Sequence, residues 1–473
     1  MRPLELIIPC ILFLYLISPL VTGQKRTMGV NGFPILAMLI SGSHLILEKY
    51  RWQMLPLYVF VILCFFSGGL TVIRPTRDKF KRLSWAGAGL VASLMVLLVA
   101  TALPVLLPVP NVPSPIGPYK IGTTTIVLVD NSRHELYSGN PDEPRKFIVQ
   151  VWYPSIPVKD SVRAPWMANA DIVAPALADF LNLPHFFLDH LALVKTNSYI
   201  DVPTDTSGAP YPVLLFSHGW NGFRAQNTNQ IQELVSNGYV VMSIEYIYAD
   251  RIAVFPDGQV ILHNPAILPS GVSDAEYDAA ARKLVLQWTG DLVYTLDTFS
   301  TLNVNDPSGH FTSLLDLDRV GAFGHSTGGA AAIQFCATDL RCKAAFGMDA
   351  WMTPVSEQVL DTGTSRPLLF LFSETFPTEK NWQLLDRLAL HLTGPITIAT
   401  ITGTSHYDFS DLPALSPLAP QMGLKGPLNG QRVIKIVNDY SLAFFDWALK
   451  GKPTPLLEGT SPSYQELEFR TLP

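Results

Sequence analysis

At 473 residues the chain is long enough for more than one domain, and it is apolar, with 48% hydrophobic against 15% charged residues. A net charge of −6 supplies no basic field for nucleic acid, and four cysteines are too few for a disulfide scaffold. Thirty-eight prolines, spread mostly through loops, argue against a helical repeat.

The hydrophobicity is concentrated near the start. Four apolar stretches, about 4–21, 33–47, 54–73 and 85–107, follow one another. A helix crossing the hydrocarbon core of a bilayer needs about 20 apolar residues, with shorter ones tolerated. Residues 1–108 therefore predict an anchor of about four transmembrane helices. Arg74, Arg77, Lys79, Lys81 and Arg82 fall in the third connection. Basic loops stay in the cytoplasm, so the fourth helix leads outward. On this scheme Lys25 and Arg26 also lie inside, while Lys49 and Arg51 dissent by lying outside. The expectation is a multi-pass integral membrane protein whose large C-terminal domain lies on the extracytoplasmic side, with the bilayer as a partner. A cleaved signal segment is the alternative for the first stretch, and ranks lower because it puts the basic loop outside. His44, near the end of the weakest stretch, reads as structural.

A proline-rich run from Pro108 (PVPNVPSPIGP) has the composition of an extended tether and sets a linker at residues 109–118. Residues 119–473 then form one large domain. Strands are predicted near 147–153, 213–217, 239–244, 319–323, 344–348, 368–372 and 396–400. Several are continuous apolar runs, as strands are when helices cover both faces of a parallel sheet. Helices are predicted between them, near 227–237, 274–302, 329–337, 381–391 and 431–449. This alternation predicts an α/β fold with a mostly parallel, doubly wound sheet. Segments 165–194 and 252–273 do not fit it and are candidates for a cap. In the first of these, Trp166, Phe180, Phe186 and Phe187 read as residues packing the cap onto the core.

The chemistry begins at RVGAFGHSTGGA, where Gly324-x-Ser326-x-Gly328 sits between an apolar strand and a small-residue helix start. This is the pattern of a nucleophile elbow, and with the alternation above it predicts the α/β-hydrolase fold. Its glycines let strand and helix approach, and its serine sits where helical N–H groups face a developing anion. Upstream, VLLFSHGWNGF ends a strand in His218-Gly219. The loop after this strand supplies one oxyanion donor in the fold and the residue after the nucleophile the other. The assigned donors are the backbone N–H groups of Trp220 and Thr327, while His218 and His325 read as scaffold.

A base must take the serine proton, and in this fold it comes last in the chain. Of the histidines after Ser326, His391 falls in a predicted helix and His406 in a loop following a strand, so His406 is the candidate base. Asp349 and Glu374 each end a strand, and Asp408 is a third candidate. Placement and order leave the acid open.

These segments together resemble the plasma and bacterial platelet-activating-factor acetylhydrolases and their dienelactone-hydrolase-like relatives. The resemblance runs from GPYKIGTTTIVLVD through RKFIVQVWYPS, YPVLLFSHG, GHSTGG and MDAWM to SHYDFSDL. It implies a Ser–Asp–His triad with its acid in the D-A-W segment, at Asp349, and Glu374 as a supporting carboxylate. It also implies a metal-independent hydrolase, without a cofactor, for esters with short or oxidised acyl chains, including those of phospholipids. Cys336 and Cys342 are six apart, and similar bacterial hydrolases often carry such a pair, so a disulfide is expected there. No cluster of His, Cys or carboxylate has metal-ligand spacing, and His185 and His190, five apart, share no helix face cleanly. Two other functions compete: a membrane receptor or scaffold built on an inactive hydrolase domain, and an acyltransferase using an alcohol in place of water. An inactive domain would be expected to lack a triad member, and none is missing.

Overall fold

The computed structural model describes residues 1–22, 32–73 and 82–471. The chain divides into two units. The smaller comprises Met1–Pro110 with the short returns Asp189–Leu193 and Leu415–Leu418, and the larger the remainder.

In the smaller unit four helices are described, α1 (Pro3–Thr22), α2 (Gly32–Leu47), α3 (Leu55–Ile73) and α4 (Arg82–Leu106). Ile8, Leu12, Tyr15, Ala37, Leu57 and Val61 pack inside. Charge is buried here too. Glu5 and Arg51 pair at 2.6 Å with both side chains fully buried, and His44 accepts or donates at Nδ1 to the Tyr58 hydroxyl at 2.6 Å. Arg51 also donates to the carbonyl of Pro104 at 3.2 Å, a residue inside α4.

The four-span anchor is not borne out. Among the described residues one helix, Gly87–Leu106, is long and apolar enough to cross a membrane. The other apolar stretches, Pro3–Ser18, Gly32–Leu47 and Trp52–Ser67, are shorter. At 1.5 Å per residue each extends roughly 24 Å, against a hydrocarbon core of about 30 Å. One such helix equally fits a core helix or a leader, so the multi-pass assignment and the extracytoplasmic placement fall together, and a bilayer partner is not shown. The residues that oriented the scheme do not restore it. Arg51 is buried against Glu5 rather than free in a loop, and Lys25, Arg26, Arg74, Arg77, Lys79 and Lys81 lie outside the described residues.

The larger unit is built from β1 (Lys120–His134), β2 (Pro144–Ser155), β3 (Arg163–Pro165), α5 (Ala170–Phe180), β4 (Lys195–Ile200), β5 (Tyr211–Ser217), α6 (Thr228–Ser236), β6 (Val240–Glu245), β7 (Ile252–Val254), β8 (Val260–Leu262), α7 (Asp274–Val304), β9 (Leu315–His325), α8 (Thr327–Thr338), β10 (Cys342–Met348), α9 (Glu357–Thr362), β11 (Leu368–Ser373), α10 (Glu379–Leu390), β12 (Ile396–Ile401), α11 (Gly430–Lys450) and β13 (Leu467–Phe469). Its main sheet runs β13-β12-β11-β10-β9-β5-β6-β2-β1-β4-β3. From β6 to β12 all neighbours are parallel. Strands β2 and β1 join antiparallel at one side and β13 at the other.

Side chains along a strand alternate between faces, and β5 divides the two cores accordingly. Val213 and Leu215 pack with Leu284, Trp288 and Ala331 of α7 and α8, while Leu214 and Phe216 pack with Ile231 and Leu234 of α6 and Val437 and Phe445 of α11. Both faces are thus covered, which is why these strands read as unbroken apolar runs. The long α7 starts at a capping box, with Ser273 and Glu276 satisfying each other's backbone N–H groups.

The α/β-hydrolase-like architecture stands. The expected cap segments contain α5 and the β7–β8 hairpin. The flanking strands were not foreseen in full: β1, β4 and β13 have mixed or exposed patterns that do not read as buried strands.

A buried ionic knot secures that flank. Arg145 of β2 donates to Asp291 of α7 at 2.5 Å and pairs with Glu135, all three almost fully buried. Arg133 reaches the same Asp291 at 2.8 Å.

Candidate active site

Three parallel strands, β9, β10 and β11, end side by side and deliver the polar residues to one edge of the sheet. At the end of β9 the chain turns sharply into α8. Ser326 occupies that turn with φ 55° and ψ −119°, a left-handed backbone that costs about 1–3 kcal/mol for a residue other than glycine. The turn survives because its surroundings over-determine it. The Ser326 N–H donates to the Met348 carbonyl at 2.9 Å, and the Ser326 carbonyl accepts from Trp351 at 3.1 Å. Gly324 and Gly328 are required sterically, since a Cβ on either would overlap backbone atoms of the other's segment or of Ser217.

One strand over, Asp349 follows β10, fully buried. Its Oδ1 accepts from the Ser373 N–H and its Oδ2 from the Ser373 hydroxyl, both at 2.8 Å. Oδ2 also accepts from His406 Nδ1 at 2.7 Å. A carboxylate can only accept here, so Nδ1 carries the proton and Nε2 is left as the basic nitrogen. The ring is stacked on Phe376, with centroids 3.8 Å apart.

The other acids go elsewhere. Glu374 accepts from the Gly403 N–H at 2.7 Å. Asp408 accepts from the N–H groups of Ser405 (2.8 Å) and Gly426 (2.6 Å) in its own loop. His391 ends α10 and bonds to the carbonyls of Arg387 and Leu360.

The loop after β5 completes the edge. A Cβ built on Gly219 would lie 3.4 Å from that of Ser326. The Gly219 carbonyl accepts from the Gly222 N–H at 2.9 Å and from His218 Nδ1 at 2.7 Å. Nε2 of the same ring lies 2.8 Å from Asp250, and both side chains are fully buried. Both ring nitrogens therefore lie near oxygen acceptors, which favours the imidazolium. Burial works against that charge, but Asp250 and the Gly219 carbonyl more than offset it and hold His218 above the ordinary histidine range. With its carbonyl held on that side, the Gly219–Trp220 peptide turns its N–H the other way. Among the described residues, the N–H groups of Trp220 and Thr327 donate to no acceptor in the protein.

Sequence reading did not find the connection between this loop and His406. Gln226 accepts from the Gly219 N–H at 3.3 Å and donates to His325 Nδ1 at 3.0 Å. His325 Nε2 donates to the His406 carbonyl at 3.0 Å. Burial first, and then the neighbouring His406, push His325 well below the ordinary histidine range, so it stays neutral in the single tautomer this chain of bonds requires. No spacing rule links residues 219, 226, 325 and 406; folding alone brings them together.

Cys336 at the end of α8 and Cys342 at the start of β10 are joined by a disulfide. Glu5, His44 and Glu48 come close enough to suggest a metal site. However, Arg51 and Arg2 already bond to Glu5, and a cation there would face two guanidinium groups.

Beside the reaction edge lies an apolar cavity of about 50 Å³ between Trp220, Phe223, Tyr407 and the cap residues Val173, Leu177 and Phe180. It is small beside ordinary ligand pockets of about 300–1,000 Å³.

Comparison with known proteins agrees with this fold. Residues 108–256 and 296–452 match the family model described as platelet-activating factor acetylhydrolase, isoform II. A platelet-activating factor acetylhydrolase of Gallus gallus is 25% identical over 75% of this chain and 88% of its own length. A probable 1-alkyl-2-acetylglycerophosphocholine esterase of Arthroderma benhamiae is 26% identical over 76% of this chain and 93% of its own length. Among solved structures, a ferulic acid esterase from Streptomyces cinnamoneus superposes with a TM-score of 0.63 at 25% identity, covering 77% of this chain and all of that one.

Proposed function

Because the chain belongs to the platelet-activating factor acetylhydrolase, isoform II, family and is a carboxylic ester hydrolase, we propose that it works as a serine esterase on short-acyl esters, including those of glycerophospholipids, through an acyl-enzyme on Ser326. The observation that carries this reading is the 2.7 Å pairing of His406 Nδ1 with buried Asp349, at the sheet edge where Ser326 sits on its strained turn.

His406 Nε2 takes the Ser326 proton as Oγ attacks the ester carbonyl carbon. The carbonyl oxygen becomes an oxyanion held by the N–H groups of Trp220 and Thr327, whose freedom from other acceptors leaves them available. Collapse breaks the bond to the alcohol, which leaves with the proton from His406. Water, deprotonated by the same nitrogen, then attacks the acyl-serine, and the acid departs as Ser326 recovers its proton. Asp349 stays ionised and fixes the tautomer throughout. The small apolar cavity beside Trp220 supports a short acyl group.

The test is a mutant cycle on p-nitrophenyl acetate. Ser326→Ala and His406→Ala should each cost several orders of magnitude in kcat, and the double variant little more than either. Additive losses would mean that the two residues do not act as one unit. Product analysis with an added alcohol separates hydrolysis from acyl transfer.

A further inference from the structure

Behind the small cavity lies a larger one of about 290 Å³. It is bounded by Thr124 of β1, Ala164 and Trp166 near β3, and Val254 of β7, with Gln150, Arg224 and Glu245 also in its wall. Among the described residues, Phe223 and Val173 alone line both cavities. They form the partition. Phe223 meets the buried Trp166 edge to face, with ring centroids 5.4 Å apart. Trp166 is itself anchored, since its Nε1 donates to buried Asp411 at 2.9 Å. Asp411 is held in turn by the N–H groups of Thr228 (2.8 Å) and Asn229 (3.2 Å). The ring of Phe223 therefore rests against a fixed wall, while Val173 comes from the cap helix α5.

We propose that Phe223, backed by Trp166 and assisted by Val173, sets the acyl length this enzyme accepts, by closing the small cavity off from the larger one behind it. This rests on the esterase reading above. The cavity beside Trp220 takes the first carbons of the acyl group. A longer chain would have to pass through the position of the Phe223 ring, and beyond that ring there is room to receive it. Removing the ring joins the two spaces and makes the larger one the distal acyl site.

The experiment uses the full chain and a series of p-nitrophenyl acetate, butyrate, octanoate and decanoate. In Phe223→Ala the octanoate-to-acetate ratio of kcat/KM should rise at least about 10-fold, the scale on which a hydrophobic pocket discriminates a methylene. Val173→Ala, a milder change, should move the ratio the same way and serves if Phe223→Ala does not fold. Adding Thr124→Trp to Phe223→Ala refills the larger cavity and should return the ratio towards the wild type. An unchanged ratio in both single variants, with acetate turnover intact, overturns the inference while leaving the esterase reading in place. So does a ratio that stays high in the Thr124→Trp double variant. A wild-type chain that turns over no ester removes the esterase reading, and this inference with it.

Discussion

Replacing Asp349 by asparagine changes one atom at a position where one atom decides the tautomer of the base. Asp349 Oδ1 accepts from the Ser373 N–H, and an asparagine carbonyl can keep that bond. The amide nitrogen then takes the place of Oδ2, facing the Ser373 hydroxyl and His406 Nδ1. The hydroxyl can reverse and accept, so the fold loses little. The imidazole cannot keep its proton on Nδ1 opposite an N–H, so it moves to Nε2, the nitrogen that must accept from Ser326. The analogous change in a serine-protease triad costs about 10⁴ in kcat, which corresponds to about 5.5 kcal/mol of barrier. For Asp349→Asn we expect a loss of that order on p-nitrophenyl acetate, with a cooperative thermal transition retained. Glu374→Gln preserves an acceptor for the Gly403 N–H and should leave kcat close to the wild type. A crippled Glu374→Gln beside an active Asp349→Asn would refute the assignment and move the acid one strand along.

Two further substitutions probe what supports this site. His218→Gln removes the cation that holds the Gly219 carbonyl, and should lower kcat by about 10²-fold with little change in KM. It also strands buried Asp250 at a cost of about 3–5 kcal/mol, which His218→Gln with Asp250→Asn should partly recover in denaturant melts. Because His218 is raised in the folded state, its contribution to stability is fully present below about pH 6.5 and is lost as pH rises through the higher folded value. The wild-type melting temperature should therefore fall on that alkaline side, and the double variant should lack this component. Away from the site, Asp291→Ala leaves buried Arg145 without its main partner and should cost about 3–5 kcal/mol in unfolding free energy while ester turnover of the folded fraction persists.

How much of this was legible beforehand follows from what each signal encodes. The central strands were readable because a sheet covered on both faces needs apolar side chains in both directions, as in β5 and β11. The tight turn at Ser326 was readable because close approach of strand and helix demands Gly324 and Gly328, and the position of His406 because it lies in a loop that follows a strand. The acid was not settled by pattern, since β10 and β11 end at the same edge and each is followed within two residues by a carboxylate. Only the register of the folded loops gives Asp349 to His406 and Glu374 to Gly403. The bonds linking Gly219, Gln226, His325 and His406 were invisible because they join residues distant in sequence through side chains of ordinary types. The N-terminal reading erred for a different reason. Hydropathy counts apolar residues but not the extent of each apolar helix, and it scores Arg51 as a loop charge whether or not Glu5 buries it.

The central claim is that Ser326 is the nucleophile, and covalent labelling tests it most directly. The folded full-length chain is treated with a fluorophosphonate probe and the modified peptide is located by mass. The account predicts one adduct, on Ser326, that forms as ester turnover is lost and is absent from Ser326→Ala. A folded chain that takes no label, or that takes it on another residue while Ser326 remains free, would contradict the account.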